Sequence, residues 1–228
     1  MASHLDLEEQ EQLDQLKHFW NRYGNAITWV LIVIFGGFAA WNGYQYWQRT
    51  QAAQASALYD ELDRAVQAKD LEKTQRVFDD IRSKFGRTSY AAQGGLLAAQ
   101  TLFEKGKAEE AKAALNWVAD QSGDEGLQAV ARLRVAALQL DAKAYDEAMK
   151  TLSASFPAEF DALVADRKGD VLEAQGKTDE AVAQYQIAYK KLDDRSEYRR
   201  MVEVKLNALG VNPREPAAAA ASNTEDKK

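Results

Sequence analysis

The chain has 228 residues, among them 40 Ala, 3 Pro and no Cys, and carries a net charge of −6. The absence of thiols excludes disulfide scaffolds, thiolate zinc sites, iron–sulfur clusters and cysteine nucleophiles. His4 and His18 are its two imidazoles, so beyond residue 18 a Ser-His triad and most transition-metal sites are also excluded.

The acidic balance argues against a nucleic-acid partner, which selects a basic stripe. Ala loses no side-chain entropy in a helix and Pro breaks one, so the composition favours helix throughout. Residues 1–25 read as a short tail with five acids, Asp6, Glu8, Glu9, Glu11 and Asp14.

Between Arg22 and Arg49 lie 26 consecutive residues without a formal charge. About 20 residues of helix cross a hydrocarbon core at 1.5 Å per residue. Trp29 stands near one end of the run, and Trp41, Tyr44, Tyr46 and Trp47 near the other, as an interfacial aromatic belt requires. Ala26–Trp47 is therefore read as one transmembrane helix in a lipid bilayer. A cleaved signal peptide fits less well, because the apolar run exceeds an h-region of roughly 7–15 residues. Lys17 and Arg22 on one side balance Arg49 and Arg64 on the other, so charge does not set the orientation. Gly36 with Ala40, and Ala39 with Gly43, have the spacing of small residues that admits a second membrane helix.

Residues 48–209 repeat themselves. Lys69–Thr74, Gly106–Ala111, Lys143–Ala148 and Gly176–Ala181 are related blocks, ending at intervals of 37, 37 and 33 residues. A period in this range, flanked by helices, is the mark of a helical solenoid. Each block is read as a turn between antiparallel helices. Gly106 and Gly176 suit the left-handed position that ends a helix. Glu109-Glu110 and Asp179-Glu180 suit the first turn of the next, where the macrodipole favours negative charge.

The apolar spacing predicts the membrane helix continuing through Ala52–Ala68. Further helices are predicted near 71–84, 89–105, 108–120, 126–141, 145–154, 158–174, 178–192 and 196–208. The stretch 210–228 reads as a disordered polar tail. The fold class is all-α: a single N-terminal transmembrane helix followed by an α-solenoid of helix pairs.

The block G-K-x-D/E-E-A, with Gly169 seven residues before Gly176 and Tyr185 four after Ala181, resembles a tetratricopeptide repeat. The turn glycine is missing at Lys69 and Lys143. The whole chain, over nearly residues 1–211, resembles the ancillary SecYEG translocon subunit (YfgM-like) family of Gram-negative bacteria. The resemblance rests on Glu9–Asp14 followed by Phe19–Gly24, then Leu133–Ala136, Arg167–Leu172 and Met201–Asn207 in that order. It implies a single-pass inner-membrane protein with a cytoplasmic N-terminus and a periplasmic repeat domain. It also implies association with the SecYEG translocon and with PpiD, a periplasmic chaperone, and a part in passing unfolded exported proteins onward.

The residues point to binding rather than catalysis. Gly176-Lys177-Thr178 lacks a phosphate-loop glycine five residues earlier, where Val171 stands. No cofactor, metal or catalytic residue is expected. By the resemblance, the first helix of each pair lines a concave face. Its candidate lining is Leu96, Leu97, Gln100, Phe103, Leu133, Arg134, Arg167 and Asp170, the apolar members of which equally suit the inter-helix core. The alternative function is a membrane-tethered repeat scaffold of another envelope assembly, without client binding.

Overall fold

The computed structural model describes residues 7–214, with side chains from Glu11 onward. The expectations for residues 1–6 and 215–228, including most of the polar tail, lie outside the described residues. The described residues divide into two compact units, with the boundary between Ala53 and Gln54.

Helix α1 runs Leu7–Gln67. It carries the apolar run and continues through Ala52–Ala68 almost to the predicted end. It also extends N-terminally through most of the stretch read as a tail. Its apolar window has a mean hydropathy of 1.6 and is 6% buried, so the chain contains a helix long and apolar enough to cross a membrane. Polar side chains in this region bond back to their own helix. Thr28 Oγ1 donates to the Gly24 carbonyl at 2.8 Å, and Asn42 Nδ2 to that of Phe38 at 2.8 Å. A helix in hydrocarbon must satisfy its polar groups internally, and these bonds do so in part.

The second unit adds α2 (Leu71–Phe85), α3 (Ser89–Glu104), α4 (Ala108–Gln121), α5 (Glu125–Asp141), α6 (Tyr145–Leu152), α7 (Asp161–Ala174), α8 (Thr178–Lys191) and α9 (Glu197–Ala208). Each neighbours the next along the array. The helix boundaries fall close to those set by the repeat. One difference lies after Pro157, where Ala158–Phe160 form a 3₁₀ turn before α7 begins. Pro157 holds an extended ψ of 146°, so the chain needs this short turn to enter the helix.

Side chains fix where several helices start. Asp70 Oδ1 accepts from the Lys73 amide at 3.0 Å, and Asp124 Oδ1 from that of Leu127 at 3.0 Å. Helices α4, α6 and α8 lack a side-chain cap and instead place two acids in the first turn. There the carboxylates meet the positive end of the helix dipole.

The turns themselves share one hydrogen-bond pattern. In the Gly106 turn, the Lys107 amide donates to the Leu102 carbonyl and the Gly106 amide to that of Phe103. The turns at Lys69, Lys143, Gly176 and Gly210 repeat both bonds at the same offsets. This is the Schellman arrangement, whose pivot needs a positive φ. Gly106, Gly176 and Gly210 supply it at 76°, 75° and 79°, and Lys69 and Lys143 adopt it at 56° and 59°. The two turns without glycine therefore keep the geometry and hold an L-residue in a disfavoured region.

The core follows the same register. Five residues after the first four pivots stand Thr74, Ala111, Ala148 and Ala181, all fully buried. Four further on stand Phe78, Leu115, Leu152 and Tyr185, which are also buried. Three hydrophobic clusters result, spanning Leu62–Val135, Ala136–Val171 and Ala165–Leu206. This is the nearest-neighbour packing of a repeat array.

Candidate protein-binding face

Helices α3, α5 and α7 are the first members of their pairs and carry the candidate lining. Leu96 and Leu97 are half-buried against the first cluster, and Leu133 is half-buried against the third. Gln100 is exposed and bonds Glu104 at 3.0 Å. Phe103 is 44% exposed. Arg134 is exposed, and its Nη1 donates to the Leu96 carbonyl at 3.2 Å, joining α5 to α3. Arg167 Nη1 donates to Asp170 Oδ2 at 3.0 Å within α7. The eight residues thus form one group on α3 and α5 and another on α7.

Asp170 belongs to a larger network that the spacing of single motifs does not reveal. Lys205 Nζ on α9 donates to Asp166 Oδ1 at 2.8 Å and to Asp170 Oδ1 at 2.5 Å. Tyr198, also on α9, donates its hydroxyl to Asp166 Oδ2 at 2.5 Å. The Tyr185 hydroxyl on α8 lies 2.8 Å from Asp170 Oδ1 and 2.7 Å from Glu173 Oε2, and its single proton is shared between these two acceptors. Lys205 also lies over the Tyr185 ring, 5.1 Å from its centroid. Burial, then the carboxylate acceptors, push both phenols up, so they stay protonated as donors. The signal in the sequence is pairing by face: Asp166 and Asp170 one turn apart on α7, Tyr198 and Lys205 two turns apart on α9.

The ring of Tyr185 lies against Gly169, where a Cβ would overlap it. The largest residue at its repeat position thus meets the smallest at the facing one. That closeness brings the phenol to the α7 carboxylates.

On α1, the candidate membrane contacts Gly36, Ala39, Ala40 and Gly43 are all exposed. A Cβ added at Gly36 or Gly43 would meet open space. Among the described residues, no cluster of His, Cys, Asp and Glu has the arrangement of a metal site.

A tetratricopeptide repeat-like domain family matches residues 17–211. An ancillary SecYEG translocon subunit of Neisseria gonorrhoeae is 31% identical over 210 residues, covering 92% of this chain and 100% of the relative. One of Haemophilus influenzae is 32% identical, covering 89% and 98%. One of Escherichia coli K12 is 29% identical, covering 89% and 97%. The match takes in both the apolar helix and the repeat array, and the chain belongs to the ancillary SecYEG translocon subunit family, with a tetratricopeptide repeat-like domain.

Proposed function

We propose that the chain is a membrane-anchored protein-binding module associated with the SecYEG translocon. Residues 1–25 face the cytoplasm, 26–47 span the inner membrane, 48–209 form the periplasmic array and 210–228 are a tail. The module helps pass newly exported, unfolded proteins to periplasmic chaperones, among them a PpiD-like partner. The observation that carries this reading is the extent of the match. Relatives named as translocon subunits align along nearly their whole length, anchor included. The repeat array supports binding rather than catalysis, because a solenoid presents an extended surface and buries only nearest-neighbour contacts.

Affinity purification from gently solubilised membranes tests the reading. SecYEG and a PpiD-like chaperone should be enriched with the chain, and their absence would overturn it. Replacing residues 26–47 by an unrelated apolar helix separates anchor from array. Retained SecYEG co-purification assigns the contact to the array; lost co-purification assigns it to the membrane helix, where Gly36, Ala39, Ala40 and Gly43 are the candidate contacts. Reversing Arg134 and Arg167 together should weaken crosslinking to the partner chaperone through the concave face.

A further inference from the structure

Residues 11–27 of α1 form a two-faced helix. Leu13, Leu16, Trp20, Tyr23 and Ile27 recur at spacings of three, four, three and four, which places them in one line. Leu16 is 63% exposed and Trp20 58%. Glu11, Asp14, His18 and Arg22 occupy the opposite side. Such a stripe has the anchor spacing by which a helix fills a partner's groove.

Reach and charge select its occupant. The headgroup layer extends only about 5–8 Å beyond the hydrocarbon. Trp20 and Tyr23 fall within or near it, about 9 and 5 Å before Ala26 at 1.5 Å per residue. Leu16 and Leu13 lie about 15 and 20 Å before Ala26 along the unbroken helix, beyond the reach of lipid. A second copy in parallel would bring two such segments together, each rich in acids, so that like charges gather. Before Asn21 the chain holds five acids, Asp6, Glu8, Glu9, Glu11 and Asp14, against Lys17 as its one Lys or Arg. Cytoplasmic loops of membrane proteins carry the reverse excess, of Lys and Arg.

We propose that the Leu13–Leu16–Trp20–Tyr23 stripe docks into an apolar groove on a Lys- and Arg-rich cytoplasmic face of a membrane-embedded partner protein. The proposal rests on the reading that the N-terminal side of the anchor faces the cytoplasm. The apolar stripe supplies burial, and the acidic balance of the segment supplies long-range steering.

Photocrosslinking in native membranes tests it, with the crosslinker placed on the full chain at Leu13, Leu16 or, as the opposite face, His18. Crosslinks from Leu13 and Leu16 should map by mass spectrometry to a Lys- and Arg-rich cytoplasmic segment of a membrane protein. Their yield should fall at least about fivefold in Glu11→Lys/Asp14→Lys, and in Leu13→Ala/Leu16→Ala read from a crosslinker at Trp20. Crosslinks to lipid or to a second copy, or equal yields from His18, would overturn the proposal. The Cys-free chain also permits a Gln15→Cys variant, labelled with a membrane-impermeant maleimide. Labelling from the periplasmic side would overturn the orientation itself. Labelling from the cytoplasmic side without the mapped crosslinks would overturn this docking alone.

Discussion

Lys205 on α9 reaches Asp166 on α7 at 2.8 Å, and the carboxylate it meets is 1% exposed. The two helices are not neighbours in sequence, since α8 lies between them. This pair fastens the last helix to the array. Lys205→Met strips the buried carboxylate of its countercharge and should cost about 3 kcal/mol. Loss of amide-exchange protection in α9 would report it. The double variant Asp166→Leu/Lys205→Met should cost less than the two single changes summed, because neither charge is then left alone.

The left-handed lysines give a prediction of opposite sign. Lys69→Gly and Lys143→Gly relieve a strained φ and should each stabilise the array by about 0.5–1 kcal/mol, even after the extra freedom of glycine in the unfolded chain. Gly176→Ala imposes the same strain and should destabilise by a similar amount. Thermal unfolding of the three variants should rank them accordingly.

Gly169→Ala tests the close approach of α7 and α8. The added methyl overlaps the Tyr185 ring, which hydrogen bonds to Asp170 and Glu173 hold in place. Overpacking of this kind costs about 1–3 kcal/mol. Tyr185→Leu should remove much of the penalty in the Gly169→Ala background, though it gives up the phenolic donor shared by Asp170 and Glu173. A double-mutant cycle in denaturant separates these contributions.

Alkaline pH should loosen the C-terminal end of the array. The phenols of Tyr185 and Tyr198 titrate above their unfolded value of about 10, so their contribution is complete below that pH. Above it the unfolded chain loses protons that the folded chain retains, and stability falls as pH rises. Stability should be level from about pH 7 to 9 and decline beyond about 10. Tyr198→Phe should make that decline shallower.

The helix pattern was legible because the period is carried by small buried residues. Ala111, Ala148 and Ala181 recur where neighbouring helices cross, and sequence alone locates them. The pivots were legible at Gly106 and Gly176, where the residue type announces a positive φ. Lys69 and Lys143 announce nothing: their conformation is imposed by the backbone bonds on either side, not by their side chains. The α7–α9 network was hidden for another reason. Asp166 and Lys205 stand 39 residues apart, and nothing local pairs them. Arg167 and Asp170 read as groove lining from their place on a first helix. Asp170 also joins Lys205 and Tyr185, so any partner at that position meets a carboxylate already engaged.

The turn at Gly210 gives the array a defined end among the described residues. It makes the two bonds that elsewhere lead into a second helix. Instead, Asn212 Oδ1 captures the Arg214 amide at 3.1 Å, and the Arg214 guanidinium folds back to Glu203 at 2.8 Å. These few side-chain bonds are laid over a junction of the standard form. Val211 is accordingly a natural splice point for protein engineering: a helix grafted there in place of Asn212–Arg214 would inherit the correct exit geometry and lengthen the array by half a repeat.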